Sequence, residues 1–268
     1  ADEIARPFAA RISPGEPWPA AAYDRMAVVA KEVFAEYEQA GLVGRPLLWE
    51  LDRATVERDL SAFLDHDARY RAETGMVPAA VELRFGPGVG APVTVALDGE
   101  RTLSFRGFVD RVDRSPDGSG VTVIDYKTGR DYGFDELAED PVVRGQKLQL
   151  PVYGLAARGA FAPSQPVRAL YWFVSGRVGF RQVPVELSDA HLQRFDEVVT
   201  VLVDGIEAGH FPARPGSDER GDFANCHFCD FKGACPADKG RAWDRLAGDP
   251  ALARYVALAE PQRTGGRP

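Results

Sequence analysis

The most regular alternation of apolar and polar positions in the chain runs from Ser104 to Lys127. SFRGFVDRVDR and VTVIDYK both alternate β-branched or aromatic residues with polar ones, and the turn-forming run Ser-Pro-Asp-Gly-Ser-Gly separates them. Period-two patterning broken by such a run predicts a β-hairpin. With Asp117 and Gly118 as central turn residues, the register sets Asp110 opposite Asp125 and Phe108 opposite Lys127. Side chains two apart on a strand share a face, so Asp125 and Lys127 project together while Ile124 and Tyr126 point the other way.

Elsewhere the spacing is largely helical. Met26, Val29, Val33, Phe34 and Tyr37 recur at helical intervals across 23–40, with Gly41 as a stop. A second helix is expected over 55–73, with Val56, Leu60, Phe63 and Leu64 facing the core and Arg58, Asp59 and Asp65 turned away. His66, near its end, reads as a surface or packing histidine. AAVELRF at 79–85 predicts a strand on which Glu82 faces away from Val81 and Leu83; 92–97 predicts another, followed by the hairpin signal Asp98-Gly99. After an acidic loop over 130–143, a helix should begin between Gln146 and Leu150, because Pro151 is tolerated in a first turn but costs about 3 kcal/mol in an interior. Gln149 and Tyr153 then share one helical face. Strands are expected at 167–174 and 178–187. Ser188 is placed to cap a helix through Ala208, whose apolar face is Leu192, Phe195, Val198, Val199, Leu202 and Ile206, with Gly209 ending it. Residues before about 22 read as an extended lead-in. Beyond Lys239 a short amphipathic helix with Leu246, Leu252, Tyr255 and Leu258 precedes a polar tail expected to be mobile.

The hairpin carries the chemistry. Opposed cross-strand side chains have Cβ atoms about 5 Å apart, and like charges there are destabilising unless something compensates. A divalent cation would do so, since Mg²⁺ takes one or two carboxylates plus waters and phosphate oxygens. The alternative is a solvated hairpin on which Asp110, Arg111, Asp113 and Arg114 form surface ion pairs.

G-F-V-D-R-V-D, a short turn and V-I-D-Y-K-T-G resemble motifs two and three of the PD-(D/E)xK nuclease superfamily, specifically its RecB-like, AddB-type exonuclease branch. Gly107, Asp110, Arg111, Asp113, Asp125, Tyr126, Lys127, Thr128 and Gly129 carry the likeness. The Glu82 strand resembles the acidic strand preceding the hairpin in related nucleases, and Gln149 with Tyr153 resembles the Q-x-x-x-Y fourth motif. The resemblance implies an α/β, restriction-endonuclease-like core with a central mixed sheet flanked by helices, and hydrolysis of DNA phosphodiesters with Mg²⁺ or Mn²⁺. It implies Asp110 and Asp125 as metal ligands, with the Tyr126 carbonyl as a further one. Lys127 would orient the attacking water or stabilise the charged transition state, and Gln149 and Tyr153 would orient the DNA backbone or Lys127. Glu82 is an active-site candidate, with a structural ion pair as its other reading. DNA repair or recombination beside a helicase subunit or domain is the implied setting; no Walker A sequence is present, so this chain is not itself the motor. A non-catalytic DNA-end-binding or scaffolding module is the competing function.

Composition adds the cysteines and the charge. All three cysteines form C-x2-C-x5-C at Cys226, Cys229 and Cys235, a clustering that points to a metal or cluster site. Followed by Pro236, the spacing resembles the C-terminal part of the iron-sulfur staple of AddB-type and CRISPR-associated RecB-like nucleases, where a distant N-terminal cysteine completes a 4Fe-4S cluster. No cysteine precedes Cys226, so that fourth ligand is not in this chain. Zinc, which accepts three cysteines and a histidine, is the alternative, with His210 better placed than His227. A net charge of −8 argues against indiscriminate coating of nucleic acid but not against a local basic groove. The 268 residues, 45% of them hydrophobic, suit a helical region at 1–78, a nuclease core at 79–210, a cysteine segment at 211–240 and a helix with tail at 241–268. No apolar run approaches the roughly 20 residues that span a membrane, so a cytoplasmic location is the default expectation. The chain begins with Ala rather than Met, which suggests a processed product or a segment of a longer protein.

Overall fold

A computed structural model of the protein describes residues 12–219 and 222–261; the expected mobile tail and most of the lead-in lie outside them. The chain forms two compact units, Ala1–Val143 with Lys147–Gln193, and Arg144–Gln146 with Arg194–Pro268.

The first unit contains α1 (Ala20–Gln39), α2 (Pro46–Thr74), β1 (Val77–Phe85), β2 (Val93–Ala96), β3 (Thr102–Phe105), β4 (Gly107–Arg114), β5 (Val121–Lys127), α3 (Gln149–Phe161), β6 (Arg168–Phe173) and β7 (Gln182–Glu186). Five strands make a mixed sheet in the order β1-β4-β5-β6-β7. Only β5 and β6 run parallel, and the connection between them carries α3, since parallel neighbours need a crossover. The expected mixed α/β architecture is therefore present. β2 and β3 pair only with each other.

The hairpin forms in the expected register, with Arg111 opposite Ile124 and Val112 opposite Val123. Its turn is shifted by one residue: the Gly118 amide donates to the Ser115 carbonyl at 2.9 Å, making Pro116 and Asp117 the central residues. Pro116 pre-sets the first central position, and Gly118 follows at φ 75°, a left-handed value that glycine adopts without strain. A bond from the Ser115 amide to the Gly120 carbonyl keeps the strands in step.

Four expectations are corrected. The strand expected over 104–114 is two, because the chain breaks at Arg106 and sends Thr102–Phe105 to β2 and Gly107–Arg114 to the main sheet. The second helix starts at Pro46, not near Thr55; Pro46 sits in its first turn, where a missing N–H costs nothing, while Leu47, Leu48 and Leu51 are exposed and so gave no core-facing stripe. The strand expected from 178 begins only at Gln182, after a tight turn in which Gly179 and Phe180 take φ 63° and 55°. The single C-terminal helix is two, α5 (Lys239–Leu246) and α6 (Ala253–Ala259), divided at Asp249-Pro250, where the residue before proline leaves the helical region.

The sheet of the first unit is covered differently on its two faces. On one, Phe63 and Tyr70 of α2 pack on Ile124, Tyr126, Leu170 and Trp172. On the other lies α3, whose Gly154 is buried so tightly that a Cβ there would fall 2.1 Å from Leu187 Cδ1. That close approach seats α3 against the chain at the end of β7. In the second unit, Trp243, Leu252 and Val256 make a small core. The helix α4 (Asp189–Glu207) begins with the Ser188 hydroxyl accepting from the His191 amide at 3.3 Å, the expected cap. Among the described residues no helix is long and apolar enough to cross a membrane.

Candidate active site

The registers align four strands into one row. Glu82 on β1 lies between the pairs Val81–Arg111 and Leu83–Val109, and so faces Asp110 on β4. The β4–β5 register, continued one step past Arg111–Ile124, sets Asp110 opposite Asp125, and Asp125 pairs with Tyr171 on β6. The ladder between β4 and β5 ends at this row. In its place the Tyr126 amide donates to Asp110 Oδ2 at 2.8 Å, so a side chain has taken over a backbone acceptor's role. The carboxylates therefore sit where two strands part, which is where a ligand can enter a sheet without breaking further bonds.

Lys127 lies one step beyond on the same face. Its ammonium is 2.5 Å from Asp125 Oδ2 and donates to Gln149 Oε1 at 2.8 Å, so the Q-x-x-x-Y glutamine of α3 holds the lysine. Asp125 is 2% exposed, and Oδ2 is buried with no donor in hydrogen-bonding alignment despite the short ion contact. Burial, partly offset by Lys127 and reinforced by Asp110, pushes its carboxyl up to about 6. A carboxylate kept buried beside another carboxylate is expensive for folding alone.

Tyr153, one turn after Gln149, has its hydroxyl pushed up to about 12, first by burial and then by the charges of Asp125, Asp110 and Glu82, so it stays a neutral phenol. The three carboxylates thus converge electrostatically on one hydroxyl. Glu82 adopts φ 50°, a left-handed conformation that a non-glycine residue holds only when its surroundings impose it. Tyr126 turns its side chain to the opposite face, as expected, where its ring meets Phe63 edge-on at 5.4 Å. His66 stacks on Phe180 at 4.2 Å, a packing histidine.

Two residues of the site carry no mark in the sequence pattern. Lys147 holds its ammonium 3.8 Å from the Phe134 ring centre, and Phe134 meets Tyr171 and Phe173 edge-on at 5.0 Å. Burial and the Lys127 charge lower its pKa, and Asp125 opposes them. Its nearness to the conspicuous Gln149 was the available signal. Arg181, which bonds Asp131 at 2.6 Å and also pairs with Asp135, ties the loop after Lys127 to the far edge of the sheet; nothing in the sequence joined those segments.

The ion-pair alternative for the hairpin holds for the other half of the motif. Arg111 and Asp113 face away from Asp110 and are buried, with Arg111 forked onto Asp113 at 2.5 and 2.7 Å. They are core groups, not the surface pairs expected.

Among the described residues no group of three or more His, Cys, Asp or Glu side chains is arranged to hold a metal. Asp110 and Asp125 still fit the two-carboxylate requirement of Mg²⁺ or Mn²⁺, with Asp125 Oδ2, whose close partner is the Lys127 ammonium, as an acceptor such an ion would use. In the second unit, Cys226, Cys229 and Cys235 line one cavity of about 180 Å³ with Arg214 and Asn225. His210 lines a different cavity, with Leu202, Phe211 and Tyr255, so the expected zinc histidine is not beside the thiols. His227 instead lies 3.8 Å from Asp222.

No curated protein matches the chain. A family model of the PD-(D/E)XK nuclease superfamily matches residues 4–236, a span that contains the whole Glu82, Asp110, Asp125 and Lys127 row together with Gln149 and Tyr153. The chain belongs to the PD-(D/E)XK nuclease superfamily.

Proposed function

We propose that the chain is a metal-dependent deoxyribonuclease of the RecB-like kind that hydrolyses DNA phosphodiesters at the Asp110–Asp125–Lys127 row. The observation that carries this reading is the buried Asp125, in register with Asp110 and in ion contact with Lys127 where β4 and β5 separate. A Mg²⁺ or Mn²⁺ ion held by Asp110 and Asp125, with the Tyr126 carbonyl as a further ligand, would polarise the phosphate and activate water. The chain's own groups do the rest. Lys127, fixed by Gln149, places a positive charge where the phosphoryl oxygens gain negative charge, and needs no reorganisation to do so. Tyr153 stays protonated and can donate to a non-bridging oxygen. Glu82 adds negative charge on the far side of Asp110 and so raises the row's affinity for a cation.

The test is cleavage of end-labelled single- and double-stranded DNA with Mg²⁺, Mn²⁺ or EDTA. Lys127→Ala is expected to lower kcat by about 10²- to 10³-fold, the range found when one preorganised transition-state donor is removed. Wild-type rates in this variant, or cleavage indifferent to EDTA, would sink the mechanism. A second reading, a DNA-end-binding or scaffolding module beside a helicase, draws support from the net charge of −8, which leaves most of the affinity for DNA to a partner; it predicts DNA binding with no metal-dependent products.

The cysteine cavity supports a metal or 4Fe-4S staple completed by a ligand from outside this chain. Iron and acid-labile sulfide, measured after anaerobic preparation of the protein together with any native sequence upstream, are expected to be present and to fall away in Cys229→Ser. Zinc near one equivalent without sulfide would replace the cluster with a zinc site.

A further inference from the structure

The row next to the carboxylates holds an arrangement that hydrolysis alone does not need. Phe108 on β4 shares a face with Asp110 and pairs with Arg84 on β1. Arg84 and Phe108 are therefore cross-strand neighbours on that face, one step beyond Glu82 and Asp110. Phe108 is 51% exposed, whereas its β4 neighbours Val109 and Val112 are fully buried. Arg106, two residues before it, sits where the chain crosses Gly86, whose Cβ would fall 2.7 Å from Arg106 Cα. Arg84 and Arg106 are both exposed, and neither makes an ion pair among the described residues.

A single exposed aromatic residue is ordinary by itself. Here the exposed ring lies across the strand from exposed Arg84, with exposed Arg106 two residues before it, on the face that carries Asp110 in a chain of net charge −8. Guanidiniums that track a backbone and an aromatic ring that receives a base are the two elements of single-strand binding surfaces. A base within a duplex is stacked on its neighbours and cannot offer its face to the ring.

The geometry points to a nucleobase-stacking subsite at Phe108, with Arg84 and Arg106 on the adjoining phosphates, that receives the nucleotide next to the scissile bond from an unpaired DNA strand. This rests on the nuclease reading above and adds a substrate class to it. The strand runs across the β4–β1 side of the active site, and an end that is already unpaired or frayed is the preferred substrate. Phe108 touches substrate without taking part in the chemistry, so it affects binding rather than turnover.

The experiment has a kinetic and a binding arm. With single-stranded oligonucleotides, Phe108→Ala is expected to raise KM about 10-fold, within the roughly 5- to 100-fold that loss of one base–aromatic stack produces, with kcat held within about twofold. Phe108→Trp should restore KM; Phe108→Leu, apolar but without a π-face, should not. In the binding arm, 2-aminopurine is placed at successive positions of a single-stranded oligonucleotide with Ca²⁺ replacing Mg²⁺. Quenching confined to one or two positions is expected for wild type and Phe108→Trp and absent in Phe108→Ala. Equal quenching in Phe108→Ala, or a fall in kcat with KM unchanged, would overturn the subsite. If the wild-type protein cuts no DNA, the nuclease reading fails, and the quenching pattern still decides whether the subsite exists.

Discussion

Asp125→Asn is expected to abolish metal-dependent cleavage while making the metal-free protein more stable at neutral pH. The loss follows from removing a ligand charge from a two-carboxylate site, a change of several kcal/mol in transition-state stabilisation and so about 10³-fold or more in rate. The gain follows from burial. Asp125 is pushed from 3.8 to about 6, chiefly because it is taken out of water. A raised carboxyl pKa means that the folded state holds its proton more tightly than the unfolded chain does. Below about pH 4 the group is neutral in both states and costs nothing; between pH 4 and 6 the unfolded chain ionises first; above pH 6 the full cost is present. At about 1.4 kcal/mol per pKa unit that cost is on the order of 3 kcal/mol. Urea unfolding in EDTA should therefore show Asp125→Asn ahead of wild type by up to that amount at pH 7.5, with the two converging near pH 4. A variant less stable than wild type at pH 7.5 would mean that the Lys127 contact outweighs burial, and that the site is a structural ion pair.

The site is legible in the sequence because the hairpin pattern is local. Period-two alternation fixes which residues share a face, and a short turn fixes the register to within the choice of central residues. The sequence alone therefore places Asp110, Asp125 and Lys127 together, although the turn is centred on Pro116 and Asp117. Gln149 and Tyr153 are legible because helical spacing is local too. What joins α3 to the hairpin at the level of sequence is the family motif; in the structure the Lys127–Gln149 hydrogen bond makes that join, and no pattern rule marks it as a contact.

The remainder depends on long-range pairing. Nothing near Asp67 or Arg71 in the sequence indicates that their helix buries them at 0% exposure; the apolar stripe of Phe63 and Leu64 gives the direction of the core but not its polar content. The extended lead-in likewise carries no visible role. Trp18 nevertheless donates to Asp67 Oδ2 at 2.7 Å, and the carbonyls of Ser13 and Glu16 accept from Arg71 at 2.9 and 2.8 Å. Those bonds, not any periodicity, attach the described part of the lead-in to α2. Lys147 and Arg181 are hidden for the same reason: their partners are distant along the chain.

Arg111→Ala is expected to cost about 3–5 kcal/mol of stability, because it strands buried charge. The Arg111 guanidinium is 4% exposed, pairs with Asp67, forks onto both oxygens of Asp113 and reaches the Tyr126 hydroxyl at 3.2 Å. Asp67 is pushed up by burial, but the Arg111 and Arg71 guanidiniums outweigh that and hold it below the usual carboxylate range. Without Arg111, Arg71 alone faces two buried carboxylates. Arg111→Lys should recover little, since an ammonium cannot bridge Asp67 and Asp113 in one plane. Because side chains alternate along β4, Arg111 and Asp113 face α2 while Asp110 faces α3, so the same D-R-V-D run supplies the carboxylate of the proposed site on one side and the scaffold on the other. Metal-dependent kcat per folded molecule, measured at low temperature where Arg111→Ala remains folded, should then stay within a few-fold of wild type while its unfolding midpoint falls. A variant with an unchanged midpoint and no turnover would move Arg111 from the scaffold into the reaction.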